Sequence, residues 1–132
     1  RLSLFVPAHH PFAQRQSISL SELAGEPIIL TGRDSSVRER VEHLFSEEGL
    51  MLTPGLEANY MSTVMALVRQ GLGMTLLPES ADEGHGDLVQ VRIDHAGVNR
   101  EIGVITRSGF GLSPAAARFV ELMKDAMSLQ PV

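Results

Sequence analysis

The chain has 132 residues, 43% hydrophobic and 20% charged, with a net charge of -5 and a pI of about 5.5. That length suffices for one domain with a real core or for two small lobes, and the acidic balance excludes a chain that grips nucleic acid by itself, which needs clustered Lys and Arg. The absence of cysteine excludes a disulfide frame and a thiolate zinc site and fits a cytoplasmic protein; no apolar run approaches the roughly 18 residues that span a bilayer.

Residues 2–6 are apolar and β-prone, closed by Pro7 and the turn-like His9-His10-Pro11. The start of the chain reads as this strand and not as a secretion signal. It begins on Arg1 without a methionine, the mark of a piece of something longer. Ser19 to Ala24 suits a short helix ended by Gly25 and Pro27. Ile28, Ile29 and Leu30 form a continuous apolar run, the mark of a strand buried on both faces. A loop follows, Thr31-Gly32-Arg33-Asp34-Ser35.

Ser36 with Glu39 is spaced as a capping box for the next helix. Val37, Val41, Leu44 and Phe45 fall on one helical face, and Gly49 with Leu50 supplies a left-handed stop. Residues 56–59 suit a short strand. Residues 61–70 suit a helix with Met61, Val64, Leu67 and Val68 inward. Gly71-Leu72-Gly73 reads as a C-cap and tight turn with Leu72 packed inward; it is too short for a phosphate cradle and follows a helix instead of opening one.

Residues 74–77 suit another buried strand, stopped by Pro78. Residues 79–87 are polar and glycine-containing, and are the best linker. Val89, Val91 and Ile93 alternate along a strand over 88–93, and residues 101–107 suit a further strand. Ser113-Pro114 is an N-cap followed by proline at the first helical position, opening a helix striped by Ala116, Phe119, Val120, Met123 and Met127. Strands alternating with helices indicate an α/β protein with parallel crossovers.

Open α/β sheets bind ligands where strand ends pass into helix starts, whose free amides carry partial positive charge. Two junctions qualify. One comprises Thr31, Gly32, Arg33, Ser35 and Ser36, with Arg33 a carboxylate partner. The other comprises Asn59, Tyr60, Met61, Ser62 and Thr63. The same residue types are also the best helix caps, so spacing alone leaves both readings open. No nucleophile elbow, paired-carboxylate motif or Walker loop is present, so the chain is not read as an enzyme. The histidines lack the spacing of a metal site, and nothing calls for a cofactor.

Five segments in order resemble the effector-binding domain of LysR-type transcriptional regulators: RLSLFVPAHHPFA, SISLSELAGEPIIL, SSVRERVEHLFSEEGL, EANYMSTVMALVRQGLGMTLLPESA and REIGVITRSGFGLSPAAARFVELM. LSPAA with GMTLLPESA resembles the nitrogen-assimilation branch. The resemblance implies a type 2 periplasmic-binding-protein-like fold holding one complete lobe and the returning part of the other. Residues 1–7 would be the interlobe crossover strand, 8–82 lobe two, 83–87 a linker, and 88–132 the returning part of lobe one. It further implies a cytoplasmic, non-membrane sensor that takes a small, usually anionic effector at the two junctions. The sensor would work as a homodimer or tetramer and reach DNA only through an N-terminal winged helix-turn-helix that this sequence does not contain. With the opening strands of lobe one also absent, the lobe-one strands and last helix would expose apolar faces and self-associate. The alternative is a piece of a periplasmic-type solute-binding protein.

Overall fold

In the computed structural model, residues 1–82, 84, 86–99 and 103–128 are described. The first of two compact units, Arg1–Arg100, is built on a six-stranded sheet of order β2-β6-β1-β5-β3-β4. Its strands are β1 (Leu2–Pro7), β2 (Ser17–Ile18), β3 (Pro27–Thr31), β4 (Thr53–Ala58), β5 (Met74–Pro78) and β6 (Leu88–Ile93). Its helices are α1 (Leu20–Leu23), α2 (Ser36–Glu47) and α3 (Met61–Arg69).

β1 runs antiparallel to both neighbours, β5 and β6, while β3 runs parallel to β4 and β5 and β2 runs parallel to β6. The carboxyl ends of five strands therefore share one sheet edge with the start of β1. β1, β3 and β5 lie inside the sheet, and their continuous apolar runs are buried along nearly their whole length. Phe5, Phe45, Leu44, Leu77 and Met65 are among the large side chains that fill the core.

Several expectations shift. β4 begins at Thr53, earlier than residue 56, and takes in Pro54 and Gly55. An edge strand tolerates proline because its outer amides need no ladder partner, and the register shift opposite Ile28/Ile29 absorbs the extra residue. In α3 the buried residues are Val64, Met65 and Val68; Met61 is 43% exposed and Leu72 56%. Both lie at the ends of the element, beyond the body of the sheet they were expected to cover. Gly71 does stop α3, at φ +74°, and Leu72 N donates to Leu67 O at 3.1 Å.

β6, assigned from sequence to the returning part of lobe one, pairs with β1 and β2 inside this sheet, and the compact unit runs on to Arg100. Of the expected linker, Glu83 and His85 lie outside the described residues.

The second unit, Glu101–Val132, carries α4 (Pro114–Ser128). Ser113 caps it as expected, its Oγ accepting from Ala116 N at 3.3 Å. The strand expected over 101–107 is a correction: residues 101 and 102 lie outside the description, and 103–107 form no strand. Backbone of that composition becomes a strand only with a ladder partner, and none of the described strands pairs with it. The apolar stripe of α4 is half open, with Phe119 and Met127 exposed.

Candidate functional site

The parallel pairing of β3 and β4 puts Thr31 opposite Ala58, so the two polar junctions leave the sheet side by side. Gly32 permits the close approach. A Cβ there would lie 3.0 Å from Asn59 Oδ1 and 3.0 Å from Asp34 Oδ1.

At the first junction Ser35 N donates to Gly32 O at 3.0 Å, which closes a turn over Arg33 and Asp34. Ser35 is the N-cap of α2, its Oγ accepting from Val37 N at 3.2 Å. The capping box expected from Ser36 and Glu39 does not form. Ser35 holds the extended backbone a cap requires (φ -82°, ψ 128°), and Ser36 is already helical. Arg33 is 80% exposed at its side chain, with its guanidinium 4.0 Å from Glu57 Oε1. Thr31 is 3% exposed, and its Oγ1 is a buried side-chain atom with no hydrogen-bond partner among the described residues.

Beneath this junction lies a residue the sequence reading passed over. Arg38 is 2% exposed. Its Nε donates to Glu42 Oε1 at 2.6 Å, and its Nη1 donates to Glu57 Oε1 at 3.1 Å and to Thr31 O at 3.3 Å. Burial opposes its charge, but its hydrogen bonds to the Glu42 and Glu57 carboxylates outweigh that and hold its pKa above the ordinary arginine value. Arg38 thus ties α2 to the ends of β3 and β4. The available signal was Glu42, four residues on along the helix.

The second junction is built differently. Tyr60 is the N-cap of α3 and makes no side-chain cap bond. The first intrahelical bond runs from Val64 N to Tyr60 O at 3.0 Å, so the amides of Met61, Ser62 and Thr63 precede it. Asn59, Tyr60, Met61, Ser62 and Thr63 are all exposed. A groove of about 330 Å³ lies along this side of α3, lined by Tyr60, Met61, Ser62, Met65, Arg69, Ser80 and Ala81. Arg69 is held there by Asp87, Nε to Oδ2 at 3.0 Å. Met65, Arg69, Ser80 and Ala81 were not anticipated; they reach the groove through the helical repeat and through the sheet order that puts β5 beside β3.

The histidines have local roles. His10 Nδ1 accepts from Phe12 N at 3.2 Å, and burial pulls its pKa below the usual histidine value. His43 faces Glu47 at 3.3 Å and His95 faces Glu48 at 3.0 Å. His85 lies outside the described residues. Among the described residues no group of three or more His, Cys, Asp or Glu is placed to hold a metal, and no helix is long and apolar enough to cross a membrane.

Residues 1–128 match the family described as the LysR substrate binding domain. The chain is 33% identical over 118 residues to an uncharacterized HTH-type transcriptional regulator, YybE, of Bacillus subtilis, covering 89% of this chain and 40% of the relative. It is 30% identical over 125 residues to the RuBisCO operon transcriptional regulator of Allochromatium vinosum, covering 92% and 41%. HinK, a LysR family transcriptional regulator from Pseudomonas aeruginosa, superposes with a TM-score of 0.75 at 26% identity, over 96% of this chain and 45% of that one. The chain therefore spans about two fifths of the length of the curated relatives it matches. The fold is the expected one, α/β and periplasmic-binding-protein-like.

Proposed function

The chain belongs to the LysR substrate binding domain family, and from that premise we propose that it senses a small, anionic effector for a DNA-binding transcription regulator. The observation that carries this reading is the uncapped start of α3 above the groove. Its free amides, with Ser62 and Thr63 beside them, favour a negative group. Tyr60, Met61 and Met65 offer an apolar wall for the rest of a small molecule, and the groove volume falls at the lower end of small-molecule sites. Asn59 and Gly32 bring the first junction alongside; Thr31, Ser35 and Ser36 flank it, and Arg33 is an exposed cation at the rim.

In this reading the chain is not an enzyme, needs no cofactor and works in the cytoplasm. DNA is contacted only through a domain outside this sequence. The effector biases one closure state over another, and subunit contacts in a homodimer or tetramer pass the bias on. Relatives that are transcriptional regulators favour this over a solute-binding protein. The exposed Ile105, Phe110 and Phe119 of the second unit support self-association of this chain; a clean monomer by light scattering at micromolar concentration counts against it.

The test of the site is calorimetry on the intact regulator with a panel of small carboxylates and phosphates, wild type and Thr63→Val. Loss of one hydrogen bond to a charged group predicts roughly tenfold weaker binding of the effector. Equal affinity in both proteins removes Thr63 from the site.

A further inference from the structure

The groove beside α3 has a polar group at each end and an apolar stretch between them. Ser62, Met65 and Arg69 are spaced i, i+3 and i+7 and so run in one stripe along the helix; all three line the groove. Ser62 stands at the open start. Met65, 1% exposed, forms the floor. Arg69 closes the far end, in the last turn of the helix. The facing wall is Ser80 and Ala81, from the 3-10 turn Glu79–Ala81 that follows β5.

A cation in the last turn is the usual complement of a helix C-terminus, and a side chain out in solvent satisfies that role. Arg69 is instead 25% exposed at its side chain and held side-on by Asp87. Both contacts run from Nε, to Oδ1 at 3.1 Å and to Oδ2 at 3.0 Å. A guanidinium carries five N–H donors in a rigid fork, so Asp87 takes one. Among the described residues Nη1 and Nη2 have no hydrogen-bond or ion-pair partner. The Asp87 carboxylate thus orients the fork and leaves its four terminal donors for another planar acceptor. Side chains on a helix lean toward its N-terminus, which carries the fork back over Met65. The seven residues from Ser62 to Arg69 span about 10 Å of helix, and the lean shortens the distance between the two polar ends.

We propose that Arg69 reads a second anionic group on the effector, so that the groove takes a small dianion with an apolar middle, of the dicarboxylate kind. The proposal rests on the effector reading, which supplies the first anionic end at the start of α3. Met61, Met65 and Ala81 cover the apolar middle, and about 330 Å³ gives room for such a molecule. The match of a planar guanidinium fork to a planar carboxylate makes the far end selective; a lysine would bring the charge without the fork. Asp87 is a positioning residue, acting on the ligand through Arg69. Its side chain is half exposed, so its own charge is screened from the second anion.

The experiment is calorimetry on the intact regulator, in wild type, Arg69→Gln and Arg69→Lys. The probes are succinate, glutarate and adipate, each beside the monocarboxylate of the same length: butanoate, pentanoate and hexanoate. At one of these lengths the dicarboxylate is expected to bind wild type roughly tenfold tighter than its monocarboxylate, the gain from one more hydrogen bond between charged groups. Arg69→Gln brings the dicarboxylate down to the affinity of the monocarboxylate and leaves the latter in place. Arg69→Lys keeps part of the preference. Equal binding of the two classes to wild type, or a preference that survives Arg69→Gln, overturns the role of Arg69 and leaves the reading of the α3 start standing. Loss of both classes in Arg69→Gln and in Arg69→Lys would mark Arg69 as a general structural residue and overturn its role too. Binding of neither class to wild type overturns the anionic-effector reading itself, and the inference falls with it.

Discussion

α2 and α3 both open at the same sheet edge, behind strands paired Thr31 to Ala58, yet their first turns are satisfied in opposite ways. α2 is closed upon itself. Ser35 caps it, a turn from Gly32 to Ser35 covers it, and Arg38 is locked between Glu42, Glu57 and the Thr31 carbonyl. α3 is open: its N-cap Tyr60 contributes no side-chain bond, and its first residues face a groove. From composition the two junctions were equals. Under the proposed function, this difference suits the first to holding the edge together and the second to receiving a ligand.

The largest expected effect lies on the closed side. Arg38→Met leaves Glu57 and the Thr31 carbonyl without their donor and should cost about 3 kcal/mol of unfolding free energy, read from urea denaturation. A loss under about 1 kcal/mol would mean that the network does not organise this edge. Next is the open side: Thr63→Val should weaken effector binding roughly tenfold and leave the urea midpoint in place. A shift of the midpoint with unchanged affinity would make α3 the structural start and erase the contrast.

The comparison can be reversed by supplying the missing cap. Tyr60→Asp gives α3 a carboxylate acceptor at its N-cap and should stabilise the fold by about 1 kcal/mol while opposing an anionic effector. Ser35→Ala is the mirror experiment and should cost about 1 kcal/mol with affinity nearly unchanged. If Tyr60→Asp stabilised without touching affinity, the α3 start would be an ordinary helix end. The smallest effect is expected from Arg33→Ala, within roughly 0.5 kcal/mol of wild type because an exposed ion pair is screened. A tenfold loss of affinity in that variant would return the first junction to the site.

Most of the elements of the first unit were legible in the sequence because each rests on a local signal. The apolar runs at Ile28 to Leu30 and at 74–77 and the stop at Gly49 act within a few residues of themselves, as does the cap at Ser113 in the second unit. The misreadings were of degree. Ser35 and Ser36 are both good caps, and only the backbone angles of the finished turn choose between them. Met61 and Leu72 fall on an apolar period, but they project past the ends of the surface that α3 covers.

The site was half legible. The residue types at 59–63 marked a helix start, whereas the partners that turn it into a groove, Ser80 and Ala81, are distant in sequence. Arg38 was hidden because a charged residue on a helix is ordinarily solvated, and its burial follows from Glu57 arriving on another strand.

The sequence by itself determined the alternation of strands and helices, the family, and the two places where polar residues meet helix starts. These follow from periodicity and turn chemistry, which are properties of short stretches. The tertiary structure decided which start is sealed and which is open, that 88–93 joins the first unit's sheet, and that 103–107 does not form a strand. The last two depend on which distant backbone supplies the ladder partner, and the first on the finished turn at Ser35 and on Glu57 reaching Arg38 from another strand; these are settled only when the strands are laid side by side.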